Sequence, residues 1–409
     1  MNDIIKQIPP MLCGDELISA LSIFPEYDTN IRYESPAVRM MALSDIYNLY
    51  IPSQMSIEIY NKLYLSLIRS LQKKRTKTAT RQQYENFKAI KSKAYDGIIG
   101  GADSFTIIGA SGIGKSSAIS RAISLIGGDT VIEVENPYIK VIPCVSVQCP
   151  FDSSVKGLLL EILRKVDEAL ESDYYFHAIR ARATTDMLIG CVSQVALNHI
   201  GLLIVDEIQN VANSKNGKHL IGALTQLINN SGISICMIGT PESAEFFESA
   251  MQLARRSVGL RYGALEYDDY FEKFCRKLWN YQYVGKPSEC PAAAIAYLYA
   301  HSAGIIAVVV SLMHDAQQIA IERGIDILNI EALKMAYEQR LALLHDYTDI
   351  STINSKAAKK TKNQSVSALS DRKIDNNISL STLAERSKSE GADVVAMIKE
   401  HFNVTEVAV

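Results

Sequence analysis

The sequence predicts an α/β fold organised on a parallel sheet, and two stretches carry that prediction. Residues 104–108 read as a buried strand that runs into GASGIGKSS (109–117), with a helix beginning at Lys115. Residues 201–210, GLLIVDEIQN, read as a continuous apolar strand ending in two carboxylates. From residue 104 to residue 240 strands alternate with helices, as a doubly wound parallel sheet requires.

The first stretch fills the pattern GxxxxGK[ST] with Gly109, Gly114, Lys115 and Ser116. Average residue usage gives such a match a chance probability of about one or two per cent in a chain of this size. Its glycines let the backbone curl until several N–H groups face inward, and the helix start adds free N–H groups and a positive dipole end. The loop Gly109, Ala110, Ser111, Gly112, Ile113, Gly114, Lys115, Ser116 and Ser117 is therefore expected to cradle the phosphates of ATP. Lys115 would reach the β- and γ-phosphates, and the Ser116 hydroxyl would take a place on Mg²⁺.

The second stretch supplies the rest of that site. Asp206, at the end of its strand, suits the aspartate that holds Mg²⁺ through its water shell. Glu207 is placed to orient or deprotonate the attacking water. A further strand, 233–239, ends at Thr240, where a polar side chain between the two motif strands would sense the γ-phosphate. This order marks P-loop ATPases with a catalytic glutamate (the ASCE class).

The remaining chain is read around this core. Residues 1–95 form a helical N-terminal segment, with a helix over 37–49 behind Pro36, a break at 51–53, and a second helix over 56–72. The basic run 71–81, LQKKRTKTATR, is either a solvated helix end or a contact to a phosphate backbone. Within the ATPase core, 96–265, the apolar run 139–147 holds Pro143 and so belongs at an edge or a bulge. Helices follow over 155–169 and 184–197. Arg255, Arg256 and Arg261 come soon after the sensor strand, where an arginine reaches a neighbouring subunit's nucleotide or simply makes surface ion pairs. Residues 266–349 are mostly helical, broken near 285–287, and fit the small lid of an AAA+ module. The arginine such lids carry at a helix start is missing near 304–307, which points to slow hydrolysis. Residues 350–409 are a Ser/Lys/Asn-rich linker and a tail; its amphipathic stretch 380–402 suits docking on a partner, folding back on the lid, or a frayed end.

Composition sets limits on function. With 409 residues, 48% hydrophobic and 21% charged, the chain has a globular core, and a net charge of -3 excludes a globally basic nucleic-acid binder while allowing a local basic groove. Seven scattered cysteines without a CxxC pair suggest reduced core thiols. The polar N-terminus and the lack of a spanning apolar run predict a cytoplasmic protein with no membrane partner.

Taken in order, IIGASGIGKSS, VSVQCPFDSSVKGLLLEIL, LLIVDEIQN, ICMIGTPESAEFF and LARRS resemble the TnsC family, the AAA+ ATPase regulators of transposons, and their shorter TniB-like relatives. The likeness runs over 105–259, and more weakly upstream to about residue 31. It implies an ATPase that forms rings or filaments around duplex DNA and bridges a TniQ/TnsD-like target selector to a TnsA/TnsB-like transposase. Nucleotide would sit between subunits, with Arg255 or Arg256 acting on the neighbour's ATP. Lys156 matches a channel-facing basic position that tracks the DNA backbone, and Arg180 and Arg182 lie in the following hairpin region. The tail would contact the transposase. Two rival classes remain: a STAND-type signalling NTPase, which would carry a fused sensor or effector domain, and a helicase-loader or origin-recognition ATPase, which would carry a winged helix after the lid.

Overall fold

The computed structural model describes residues 3–92, 99, 104–135, 138–212, 217–244 and 259–340. Six strands form one sheet: β1 (Phe105–Gly109), β2 (Ile132–Glu135), β3 (Tyr138–Gln148), β4 (Ile200–Asp206), β5 (Ser234–Gly239) and β6 (Leu260–Tyr262). Their order across the sheet is β2-β3-β4-β5-β1-β6, antiparallel between β2 and β3 and parallel elsewhere. This is the predicted α/β class, a mostly parallel sheet flanked by helices, with a helical N-terminal part.

The strands are buried because helices cover both faces. Every residue of β1 and β5 is buried, and in β4 only the terminal Asp206 reaches the surface. One face lies under α6 (Val155–Leu170), α8 (Thr185–His199) and α10 (Gly217–Ser231), numbering helices in chain order. Leu158, Ile162, Val192 and Leu224 meet Val145, Leu203 and Ile235 there. The other face lies against α1 (Gly14–Leu21), α3 (Gln54–Lys73) and α5 (Lys115–Leu125), where Leu21, Ile59, Leu63 and Ala118 meet Ile107, Leu202 and Ile238. A second core unites four helices of the segment expected to form a lid: α11 (Asp269–Trp279), α12 (Ala292–Ser302), α13 (Ile306–Glu322) and α14 (Ile330–Arg340).

Several elements depart from their expected form for local reasons. The helix expected over 37–49 is α2 (Pro36–Leu43) followed by a 3-10 turn over Ser44–Asn48. The Ser44 hydroxyl donates to Met41 O at 2.8 Å, and such a side chain competes with the α-helical ladder. The break at 51–53 is a helix start: Ser53 and Ser56 form a capping box that opens α3. Pro143 lies in an interior strand, just past Val141, the last residue of β3 that pairs with β2. Arg261 stands in β6, opposite Ile108 on β1.

The basic run 71–81 contains a residue that is neither solvated nor available to phosphate. Lys74 is 4% exposed, and its Nζ donates to Ala196 O and Leu197 O, both at 2.8 Å, at the end of α8. A cation suits a helix C-terminus, but burial pushes this ammonium down to about 7. The unfolded chain then binds the extra proton between about 7 and the ordinary lysine value of about 10.4, so stability rises with pH across that window. The variant Lys74→Met is expected to lack this rise; parallel denaturation curves for both proteins at pH 6.5 and 9.5 check it.

None of the seven cysteines forms a disulfide; Cys144, Cys149, Cys236 and Cys275 are buried, whereas Cys13 is exposed. Among the described residues, no helix is long and apolar enough to cross a membrane.

Candidate nucleotide-binding site

The chain turns from β1 into α5 through a loop that only glycine geometry permits. Gly112 and Gly114 adopt φ of 79° and 94°, in the left-handed region. A Cβ on Gly109 would stand 2.9 Å from the backbone O of Tyr262 on β6, so the neighbouring strand closes the base of the loop. Lys115 Nζ donates to Gly109 O at 2.6 Å and Ala110 O at 2.7 Å, folding its side chain along the loop.

Opposite this loop, β4 delivers its carboxylates. Asp206 is half-buried, and burial raises its carboxyl above the usual range, with the Glu207 charge adding to the effect. The N–H of Glu207, which donates to Asp206 Oδ1 at 2.7 Å, and the charge of Lys115 oppose that rise. Burial pushes the Lys115 ammonium down, and Asp206, Glu207 and Glu242 push it back. Glu207 is held at a φ of 56°, strain of the kind that collects where a side chain must be aimed. Ile208 N–H donates to Ile238 O at 2.9 Å, tying this turn to β5.

The sheet order β4-β5-β1 places Thr240, directly after β5, between the two motif strands. Its hydroxyl beside Glu242 is the main influence holding that carboxyl below the usual range.

These groups line one cavity of about 440 Å³. Ser111–Ser117 form its floor, and Asp206, Glu207 and Thr240 stand along one side. Gly109 and Ala110 are not in the lining; they sit beneath, with their carbonyls bonded to Lys115. Further walls include Tyr47, Leu49, Tyr50, Ile51, Tyr270 and Val310. Lys115 is the cation among the described lining residues. The first turn of lid helix α13 touches the loop through its backbone, Ala307 N–H to Gly112 O at 3.0 Å, at the place where an arginine was expected and not found.

Sequence reasoning missed Gln209 and the aromatic walls. The Gln209 amide Nε2 donates to the Glu207 carboxylate, while its buried Oε1 has no hydrogen-bond partner. Its place in DEIQ was visible, but its bond to the acid was not.

Lys156, Arg180 and Arg182 are not among the residues that line the cavity. Lys156 is exposed in the first turn of α6, whose N-cap Ser154 accepts from Gly157 N–H at 3.1 Å. Arg180 and Arg182 are exposed around the end of α7 (Tyr174–Arg180). Arg255 and Arg256 lie outside the described residues, as does the tail from residue 341 on.

The loop fits a nucleoside triphosphate with Mg²⁺. Its two left-handed glycines hold a backbone concavity, and Lys115, Ser116 and Asp206 supply an ammonium, a hydroxyl and a carboxylate on it. Fold and site together are those of a P-loop NTPase. Consistent with this, residues 99–247 match the sequence model of the family described as AAA domain. Comparison with curated proteins finds no match.

Among solved structures, the chain is similar to Drosophila ORC bound to DNA, with 12% identity, 97% of this chain and 83% of that one covered, and a TM-score of 0.46. It is also similar to the Aeropyrum pernix ORC1 protein in complex with DNA, at 14% identity over 79% of this chain and 81% of that one, with a TM-score of 0.42. For the Thermotoga maritima RuvB Holliday junction branch migration motor the values are 12%, 79%, 84% and 0.36. At such identities and TM-scores no function passes from these proteins to this chain.

Proposed function

We propose that the chain is an ATP-hydrolysing regulator of DNA transposition of the TnsC kind. With ATP bound it assembles with its own copies on duplex target DNA, and it joins a TniQ/TnsD-like selector to a TnsA/TnsB-like transposase through its tail. The observation that carries the enzymatic half is the single cavity where Lys115, Ser116, Asp206, Glu207 and Thr240 meet. Lys115 and the loop N–H groups bind the phosphates, and Ser116 and Asp206 hold the metal. Glu207 takes the proton of the attacking water, and Thr240 contacts the phosphate being cleaved. The metal that Ser116 and Asp206 would hold, Mg²⁺, would supply neutralisation of the charge that develops on the phosphates. Arg255 or Arg256 acts on the neighbouring subunit's nucleotide.

The DNA half is supported by the resemblance and by three exposed cations, Lys156, Arg180 and Arg182. Electron microscopy with duplex DNA tests it, comparing a non-hydrolysable ATP analogue with ADP. Rings or filaments on DNA only with the analogue are expected. Clusters that form without DNA would favour a signalling ATPase instead, and monomers in every condition would remove the proposal. The variant Lys156→Glu is expected to weaken DNA binding on all sequences alike and to flatten its salt dependence, since each phosphate contact contributes about 0.9 to the slope of log K against log salt. Binding isotherms at several salt concentrations check it; an unchanged slope would take Lys156 off the DNA path.

A further inference from the structure

Residues 24–49 leave the sheet domain, cross the lid and return. Within this strap Leu43, Ile46 and Leu49 are buried in the lid core beside Phe274, Leu278 and Leu312. Arg39, 7% exposed, donates to Tyr283 O at 3.3 Å and pairs with Asp326 at 2.5 Å. Arg32 Nε donates to Gln282 O at 3.0 Å, and the Tyr27 hydroxyl donates to the same carbonyl. The residues on either side of the strap belong elsewhere: Leu17 and Leu21 before it, and Ile59 and Leu63 after it, are part of the core beneath the sheet. The outgoing and returning crossings pair with each other. Ile23 N–H donates to Tyr50 O and Tyr50 N–H to Ile23 O, both at 2.9 Å.

The nucleotide cavity lies in the seam between these two bodies. Tyr47 and Leu49 of the strap and Tyr270 and Val310 of the lid face the loop and carboxylates of the sheet domain. Parting strap from lid would bare three apolar side chains and break the Arg39–Asp326 pair together with the bonds to Tyr283 O and Gln282 O. Parting both from the sheet domain breaks the Ala307–Gly112 backbone bond, the packing of Ile305 and Ala307 on Gly112, and the bond of the Tyr270 hydroxyl to Ile51 O beside the Ile23–Tyr50 pair, with no buried ion pair among them. The seam at the loop is the weaker of the two joints.

We propose that strap and lid move as one body, turning about the Ile23–Tyr50 pair, and that this joint swing admits and releases nucleotide. The segment ahead of the P-loop thereby regulates exchange at the site. The proposal rests on the nucleotide reading of the cavity.

Spin-label distance measurements on the full chain test it. Cysteines replace the exposed Met41 on the strap, Glu338 on the lid and Thr130 on the sheet domain, two at a time, with the exposed native Cys13 changed to Ser. Distances are compared without nucleotide and with a non-hydrolysable ATP analogue plus Mg²⁺. The expected result is a constant Met41→Cys to Glu338→Cys distance while both distances to Thr130→Cys shift together. A changed strap-to-lid distance would overturn the proposal, and so would three constant distances. A parallel titration with a fluorescent ATP analogue separates the causes. Absent binding would sink the nucleotide reading itself, whereas binding without the joint shift would sink only the swing.

Discussion

Replacing Lys115 by alanine is expected to lower ATP affinity at least about a hundredfold, about 2.7 kcal/mol. The size follows from what stands around it. Lys115 is the cation among the described cavity-lining residues, so its loss leaves the phosphates with backbone N–H groups and the metal alone. Its neighbours Asp206, Glu207 and Glu242 are all acidic, and without the ammonium they would repel a triphosphate. Assembly on DNA should disappear with nucleotide binding. Calorimetric titration with ATP and Mg²⁺ measures the loss, and an affinity within a few-fold of the parent would remove the phosphate role from this loop.

The second large effect separates binding from chemistry. Glu207→Gln keeps the shape of the side chain and removes its ability to take a proton, so hydrolysis should fall by about 10²–10⁴. ATP affinity should stay nearly constant, because the acid stands beside Asp206 rather than in the phosphate loop. Assemblies formed with ATP should therefore persist longer on DNA. A phosphate-release assay and a dissociation time course check both halves. Faster disassembly would assign Glu207 a structural task instead, such as holding its strained turn.

What the sequence disclosed and what it withheld divide along physical lines. β1, β4 and β5 are legible because burial on both faces demands unbroken apolar runs, and each run ends in residues with marked chemistry: Gly109, Asp206, Gly239. The loop is legible because left-handed geometry at Gly112 and Gly114 leaves little choice of residue. β6 is illegible at three residues, one of them an arginine, since no period can be read from so few. Lys74 sits in a run of cations and looks solvated; only the end of α8 arriving in space makes it a buried cap. The cavity walls at Tyr47–Ile51 and Tyr270 were withheld for the same reason. Nothing local to either segment signals the other.

The route of residues 24–49 also bears on how this protein comes into being on the ribosome. Arg39 and its partner Asp326 are separated by 287 positions, so the strap emerges long before the surface it covers exists. At synthesis rates of roughly 5–20 residues per second, that interval is on the order of 15–60 s. Throughout it, Leu43, Ile46 and Leu49 have no lid core to enter. The nascent chain thus carries an unsatisfied apolar segment throughout that interval, a natural docking point for a chaperone. Truncations that remove the lid would leave that segment permanently bare, and such fragments should be prone to aggregate even where the sheet domain itself folds.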